Sequence, residues 1–248
     1  MSKKGRENCP FYTEGSALRG VPQKHKTPLT FSLERMKQPY RYLVRDEHCF
    51  IQLLATNYAC RGYPFYFRSR VPDGKASKPV DEKLLAEYGI ATSKQQRWRR
   101  KRLGRANLQY LRYQQDFVIL ATHGENDFFQ KNEGAIRDMR SHPLKFYGYS
   151  VSLKGGHCVV RIEQEQYKLL KATFQETALL RKDPAEIGAQ IDALPFERYR
   201  GVLKQLFSLV KATNEVRGPA GLPKVPNSVI RVKRRIFKPF VEAVPPTP

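Results

Sequence analysis

Residues 81–123 read DEKLLAEYGIATSKQQRWRRKRLGRANLQYLRYQQDFVILATH. "VDEKLLAEYG" reads as a two-turn helix with Asp81 as its cap, stopped by Gly89, and a second helix opens at Ser93 after "IAT". "NLQYLRY" and "DFVILATH" are rich in Leu, Tyr, Val and Ile on either side of "QQ", the pattern of a hairpin, although Gln-Gln is a poor two-residue turn. The second helix is unusual in its charge. Residues 93–105 hold seven basic side chains, no acid and one tryptophan.

That run belongs to a wider imbalance. The 248 residues carry 45 Lys and Arg against 23 Asp and Glu, a formal charge of +22. Residues 1–115 hold 24 basic and 9 acidic side chains, 116–200 hold 12 of each, and 201–248 hold 9 and 2. No acid stands between Glu87 and Asp116 or between Glu215 and Glu242. Such a surface repels itself unless a polyanion screens it, so the expected partner is a nucleic acid. A hydrophobic fraction of 40% with 13 Tyr and 14 Phe is enough to fill a core. No run approaches the ~18 apolar residues of a membrane span, and "MSKKGRENCPFYTEGS" has no apolar stretch of a secretory signal. The expectation is an intracellular protein, cytoplasmic or nucleoid-associated, without a membrane partner.

Working outward, residues 1–40 are basic and broken by Pro and Gly, which predicts an extended arm. "DEHCFIQLLATNYA", from Asp46, predicts a helix ended by Gly62 and Pro64, and "YPFYFRSRV" a strand. "FYGYSVSL" and "HCVVRIE" flank "KGG" as a second hairpin. Three helices follow, with Tyr167, Leu170, Phe174 and Ala178 on one face of the first and Tyr199, Val202, Leu203, Leu206 and Val210 on a stripe of the third. "SVIRVKRRIF", in a Pro-rich tail, reads as a basic strand-like segment able to add only weakly to a sheet edge.

The element order from Asp46 to His123 is helix, strand, helix, turn, helix, strand, strand, and in this the stretch resembles a winged helix-turn-helix domain. The resemblance implies that residues 93–104 form the recognition helix and that the hairpin is a wing reaching the adjacent backbone. Arg97, Arg99, Arg100, Lys101 and Arg102 would then meet phosphates, together with Lys94 and Arg105, while Gln95 and Gln96 would address base edges and Arg112 would sit on the wing. Only Trp98 and Leu103 are large and apolar there, about 140° apart on a helix, which predicts shallow docking or a helix held by its ligand. Trp98 reads either as a core anchor or as a ring stacking on a base or sugar.

The resulting expectation is an α+β protein in four parts: a basic arm over 1–40, a winged-helix-like nucleic-acid-binding half over 41–125, a β-hairpin and helical half over 126–217, and a basic tail over 218–248. The arm and tail are expected to be mobile until nucleic acid orders them. Arg231, Lys233, Arg234 and Arg235 join the candidate contacts, and DNA is favoured over RNA. No cofactor, metal ligand or catalytic residue is required by the sequence.

Three other readings stay open. A structural subunit of a ribonucleoprotein would share the basic termini. A metal-dependent tyrosine nuclease of the rolling-circle or transposase kind would use His157 and Tyr199, but the place of a second histidine is Val159, which cannot ligate a metal. A metal-independent RNase would use His123 or His157 as its acid–base. The cysteines, Cys9, Cys49, Cys60 and Cys158, form no Cys-x-x-Cys pair; buried reduced thiols are the plain reading, and a zinc site with His25, His48 or His157 the alternative.

Overall fold

The computed structural model describes residues 40–241, which fall within one compact unit of mixed α and β structure. The arm expected over 1–40 lies, apart from Tyr40, outside the described residues, as do the last seven of the tail. The chain opens with α1 (Glu47–Leu53), whose first turn is capped by Asp46 accepting from the Cys49 N–H at 2.7 Å. The helix widens into a π turn at Leu54–Tyr58, tightens at Ala59–Arg61, and ends at Gly62, whose φ of +87° suits glycine.

β1 (Phe65–Arg70), β2 (Leu108–Tyr113), β3 (Asp116–Ala121) and the short β4 (Arg137–Asp138) make an antiparallel sheet in the order β2-β3-β1-β4. Alternation along the strands sends side chains to two cores. Phe67, Leu108, Tyr110, Phe117 and Ile119 pack with Val80, Leu84 and Leu85 of α2 (Ser77–Glu87) and with Phe128 of α4 (Asp127–Lys131). Tyr66, Leu111, Val118 and Leu120 pack on the other face with Phe50, Ile51 and Leu54 around α1. The two helices therefore lie against opposite faces of the sheet. The hairpin turns at Gln114 and Gln115 as its sequence suggested, with Gln114 at φ +52°.

α2 starts four residues before Asp81, so that residue is no cap. It is an interior side chain, fully buried.

A second antiparallel sheet is made by β5 (Leu144–Phe146), β6 (Tyr149–Lys154) and β7 (His157–Ile162), where Gly155 and Gly156 both take positive φ in the predicted turn. β5 escapes a reading for alternation because it is three residues long and breaks at Tyr147 (φ +44°) and Gly148 (φ +75°). α5 (Gln164–Leu180), α6 (Pro184–Asp192) and α7 (Arg200–Arg217) follow. Their buried faces join the core around α1, so one cluster takes side chains from both sides of position 125.

The tail corrects an expectation. Residues 218–241 lie on the body, and "SVIRVKRRIF" forms no strand. Side chains of the body take up its backbone polar groups instead. Gln52 exchanges two hydrogen bonds with Phe237, Asp192 accepts from the Arg231 N–H, and the buried Arg198 donates to the Arg231 carbonyl. Glu197 holds both the N–H and the guanidinium of Arg235, and Val44 bridges Phe240. Arg217 is also interior: its guanidinium, fully buried, donates to the carbonyls of Ala178, Arg181, Lys182 and Pro223.

Candidate nucleic-acid interface

α3 (Lys94–Arg102) owes its start to a capping box: the Gln96 N–H donates to Ser93 Oγ at 3.2 Å and the Ser93 N–H donates to Gln96 Oε1 at 2.9 Å. No residue of the helix is buried. Polar links hold it where an apolar stripe is lacking. Arg97 donates to the Thr92 carbonyl at 2.6 Å, Arg100 to the Gly89 carbonyl at 3.1 Å, and Asn107 to the Arg97 carbonyl at 3.0 Å.

These bonds fix which side faces out. With ~100° per residue, Arg97 and Arg100 lie on one side, and Gln95, Trp98, Arg99 and Arg102 are centred on the other, with Lys94 at their edge. Trp98 is 56% exposed, so it is not a core anchor, and the Arg102 guanidinium carbon stands 4.9 Å from its ring centroid. Leu103 is 72% exposed. Elsewhere some cations meet carboxylates, as in Arg68–Asp116, Arg140–Asp138 and Lys145–Glu163. Among the described residues, no cation of α3 does.

The other sequence candidates separate. Gln95, Gln96 and Lys101 are exposed, and the Gln96 oxygen is engaged in the cap. Arg105 is exposed at its side chain, while its backbone bridges Glu125. Arg112 does not extend from a wing. Its Nε donates to Asp81 at 2.8 Å, its Nη1 donates to the Gln114 carbonyl at 2.6 Å, and its side chain is 12% exposed. The Tyr110 hydroxyl donates to the other Asp81 oxygen at 2.5 Å; burial, then that hydrogen bond, pushes Tyr110 far up. The hairpin tip is itself tied down, since Gln115 accepts from the Val71 N–H and from Ser77 Oγ. In the tail Lys233 is exposed, Arg231 and Arg235 are anchored as above, and the Arg234 guanidinium carbon lies 4.8 Å from the Tyr199 ring centroid.

Arg234 belongs to a feature the sequence did not single out. Between the β6–β7 hairpin, the start of α7 and the π turn lies a cleft of about 490 Å³. Lys154, Arg161, Arg200, Lys204 and Arg234 line it with His157, and among the described residues no carboxylate does. Gly201 lets α7 approach this closely, because a Cβ there would stand 2.3 Å from the Val160 carbonyl oxygen. Three of these cations, Lys154, Arg161 and Arg200, were hidden in the sequence by the charge neutrality of the middle third. Its acids turn out to face other partners: Glu163 meets Lys145, Glu165 meets Lys168, and Glu186 meets Arg181.

The cleft also brings His157 and Tyr199 together. Burial pushes Tyr199 up to about 12 against the opposing charge of Arg234, and burial with the neighbouring Cys60 pushes the Cys158 thiol up to about 12. Cys49 is buried and donates to the Lys238 carbonyl; Cys9 and His25 lie outside the described residues. Among the described residues, no three His, Cys, Asp or Glu side chains are placed to hold a metal ion. His123 packs edge-on against Phe65. Among the same residues, no helix is long and apolar enough to cross a membrane. Neither a protein-family model nor a curated protein matches the sequence.

Proposed function

We propose that the protein binds nucleic acid, DNA in preference to RNA, through phosphate contacts from the outward face of α3. The observation that carries this reading is a nine-residue helix whose open side sets Lys94, Gln95, Arg99 and Arg102 around an exposed tryptophan, fixed by its capping box and left without carboxylate partners among the described residues. Holding like charges one turn apart costs a few tenths of a kcal/mol per pair, which a polyanion reverses. The preference for DNA follows from shape. A helix standing clear of the body fits the ~12 Å major groove of B-DNA, whereas the deep, narrow major groove of A-form RNA does not admit it.

The element order α1, β1, α2, α3, β2, β3 supports the resemblance to winged helix-turn-helix domains. Within it α3 is the recognition helix, with Gln95 the glutamine whose amide oxygen the cap does not engage and which can address a base edge with both its groups. The hairpin has a different part: with Arg112 turned inward it braces α2 instead of reaching for the backbone.

The test is the salt dependence of duplex affinity. Replacing Lys94, Arg99 and Arg102 together by alanine leaves the cap and both anchoring arginines in place. At ~0.9 per phosphate contact, the slope of log K against log salt should flatten by about two to three. An unchanged slope in a folded triple variant would move the interface away from α3.

A further inference from the structure

We infer that the cleft between the β6–β7 hairpin and α7 holds an unpaired nucleotide by its phosphate, a second and separate contact for nucleic acid. This rests on the nucleic-acid reading for its ligand class, but not on α3. Three observations converge on it. Lys154, Arg161, Arg200, Lys204 and Arg234 come from the hairpin, the first two turns of α7 and the tail, and they line one cavity that no carboxylate of the described residues lines. None of the five makes an ion pair among the described residues, although Arg235, next in sequence to Arg234, is paired with Glu197. The interior is apolar where the rim is charged: Ala55, Val159, Val160 and the half-buried Tyr199 line it.

That combination selects the ligand. A bare anion would use the cations and leave the apolar wall unmatched, whereas a nucleotide offers a phosphate to the rim and a flat base or sugar to the wall, as single-strand sites require. The cavity, about 490 Å³, is in the ~300–1,000 Å³ range that takes small molecules. It is too small for a duplex, so its nucleotide is unpaired. The two sites also share a neighbourhood. Burial with Tyr63 raises the Tyr58 hydroxyl to about 12, and both Arg97 of α3 and Arg61 oppose that shift, so both stand within electrostatic reach of Tyr58. Tyr58 closes the π turn whose Ala55 and Thr56 line the cleft.

The experiment uses the full chain and fluorescence anisotropy with a labelled twelve-nucleotide oligo-dT and a twelve-base-pair duplex. Lys154, Arg161 and Lys204 are exposed, and their triple alanine variant should melt within ~2 °C of the parent. It should bind the single strand at least ~10-fold more weakly, with a salt slope flatter by about two, at ~0.7 per contact for single strands. Duplex affinity should change less than ~2-fold, and the Lys94, Arg99 and Arg102 variant should show the converse. Thymidine monophosphate should displace the oligonucleotide at lower concentration than inorganic phosphate does. Should the triple variant misfold, Lys204→Ala and Lys154→Ala singly carry the same test, each expected to weaken single-strand binding by ~3-fold. Unchanged single-strand affinity in folded variants, equal loss of both ligands, or equal competition by inorganic phosphate would overturn the inference. Loss of single-strand binding beside a parent protein that ignores duplex would leave the cleft standing and remove α3 from the function.

Discussion

Arg112 discriminates between a side chain that meets DNA and one that holds the fold. Its Nε donates to Asp81 at 2.8 Å, Asp81 is completely buried, and the same carboxylate accepts from Tyr110. Asp81→Ala would leave a largely buried guanidinium and a buried phenol without their acceptor. Breaking a buried ion pair from one side costs ~3–5 kcal/mol. For a unit of about 200 residues each kcal/mol moves Tm by ~2–4 °C, so the variant should melt ~6–20 °C lower. Arg112→Met should cost a similar amount because it strands the carboxylate. The double variant Asp81→Leu with Arg112→Met, having neither charge, should recover most of the loss, since apolar replacements of buried pairs are often close to neutral. Urea unfolding of the four proteins at 25 °C gives the coupling energy, and anisotropy of Arg112→Met with duplex should give the parent's salt slope. A methionine variant that melts within ~2 °C of the parent and whose slope is flatter by ~0.9 would refute this assignment and return Arg112 to a DNA-contacting wing.

Three further outcomes rest on the same packing. Gly201→Ala should destabilise by ~1–3 kcal/mol in urea, because its Cβ would stand 2.3 Å from the Val160 carbonyl oxygen and neither backbone can yield cheaply. Trypsin should cut slowly between Arg231 and Lys238 in the free protein, and Gln52→Ala combined with Asp192→Ala should speed that cleavage ~5-fold or more by releasing the Phe237 and Arg231 backbone; equal rates would mean these ties do not hold the tail. Burial leads the shift of Tyr199 to about 12, so at pH 8 only about one hydroxyl in ten thousand is ionised. Plasmid incubated with Mg²⁺ or Mn²⁺ should therefore stay unnicked below pH 9, and nicking abolished by Tyr199→Phe would establish the tyrosine nuclease instead.

Much of the local structure was legible because its causes are local. Asp46 and Ser93 announce their helices by capping within four residues, Gly62 and Gly89 stop theirs, and Gly155-Gly156 turns a hairpin by its own backbone freedom. The stripe on α7 needs only the period of the helix. By the same logic, the sequence by itself determined that 93–102 would be helical, basic and poor in apolar side chains. Whether Trp98 would be covered depended on what else folded over it, and nothing among the described residues does so fully.

Tertiary structure decided which charges are free. Asp81 and Arg112 are 31 positions apart, Glu197 and Arg235 are 38 apart, and no rule of spacing joins them; packing does. A linear count made the tail basic and unpartnered, yet the folded chain ties Arg231 and Arg235 to the body and leaves Arg234 facing a cleft. The same count made residues 116–200 neutral, but neutrality is a sum, while a binding surface is a local excess. Coulomb energy falls with distance through space rather than along the chain. The cations of the cleft met only when β7, α7 and the tail were brought together, and the acids nearest in sequence to Lys154, Arg161 and Arg200, Glu163 and Glu197, were turned toward Lys145 and Arg235.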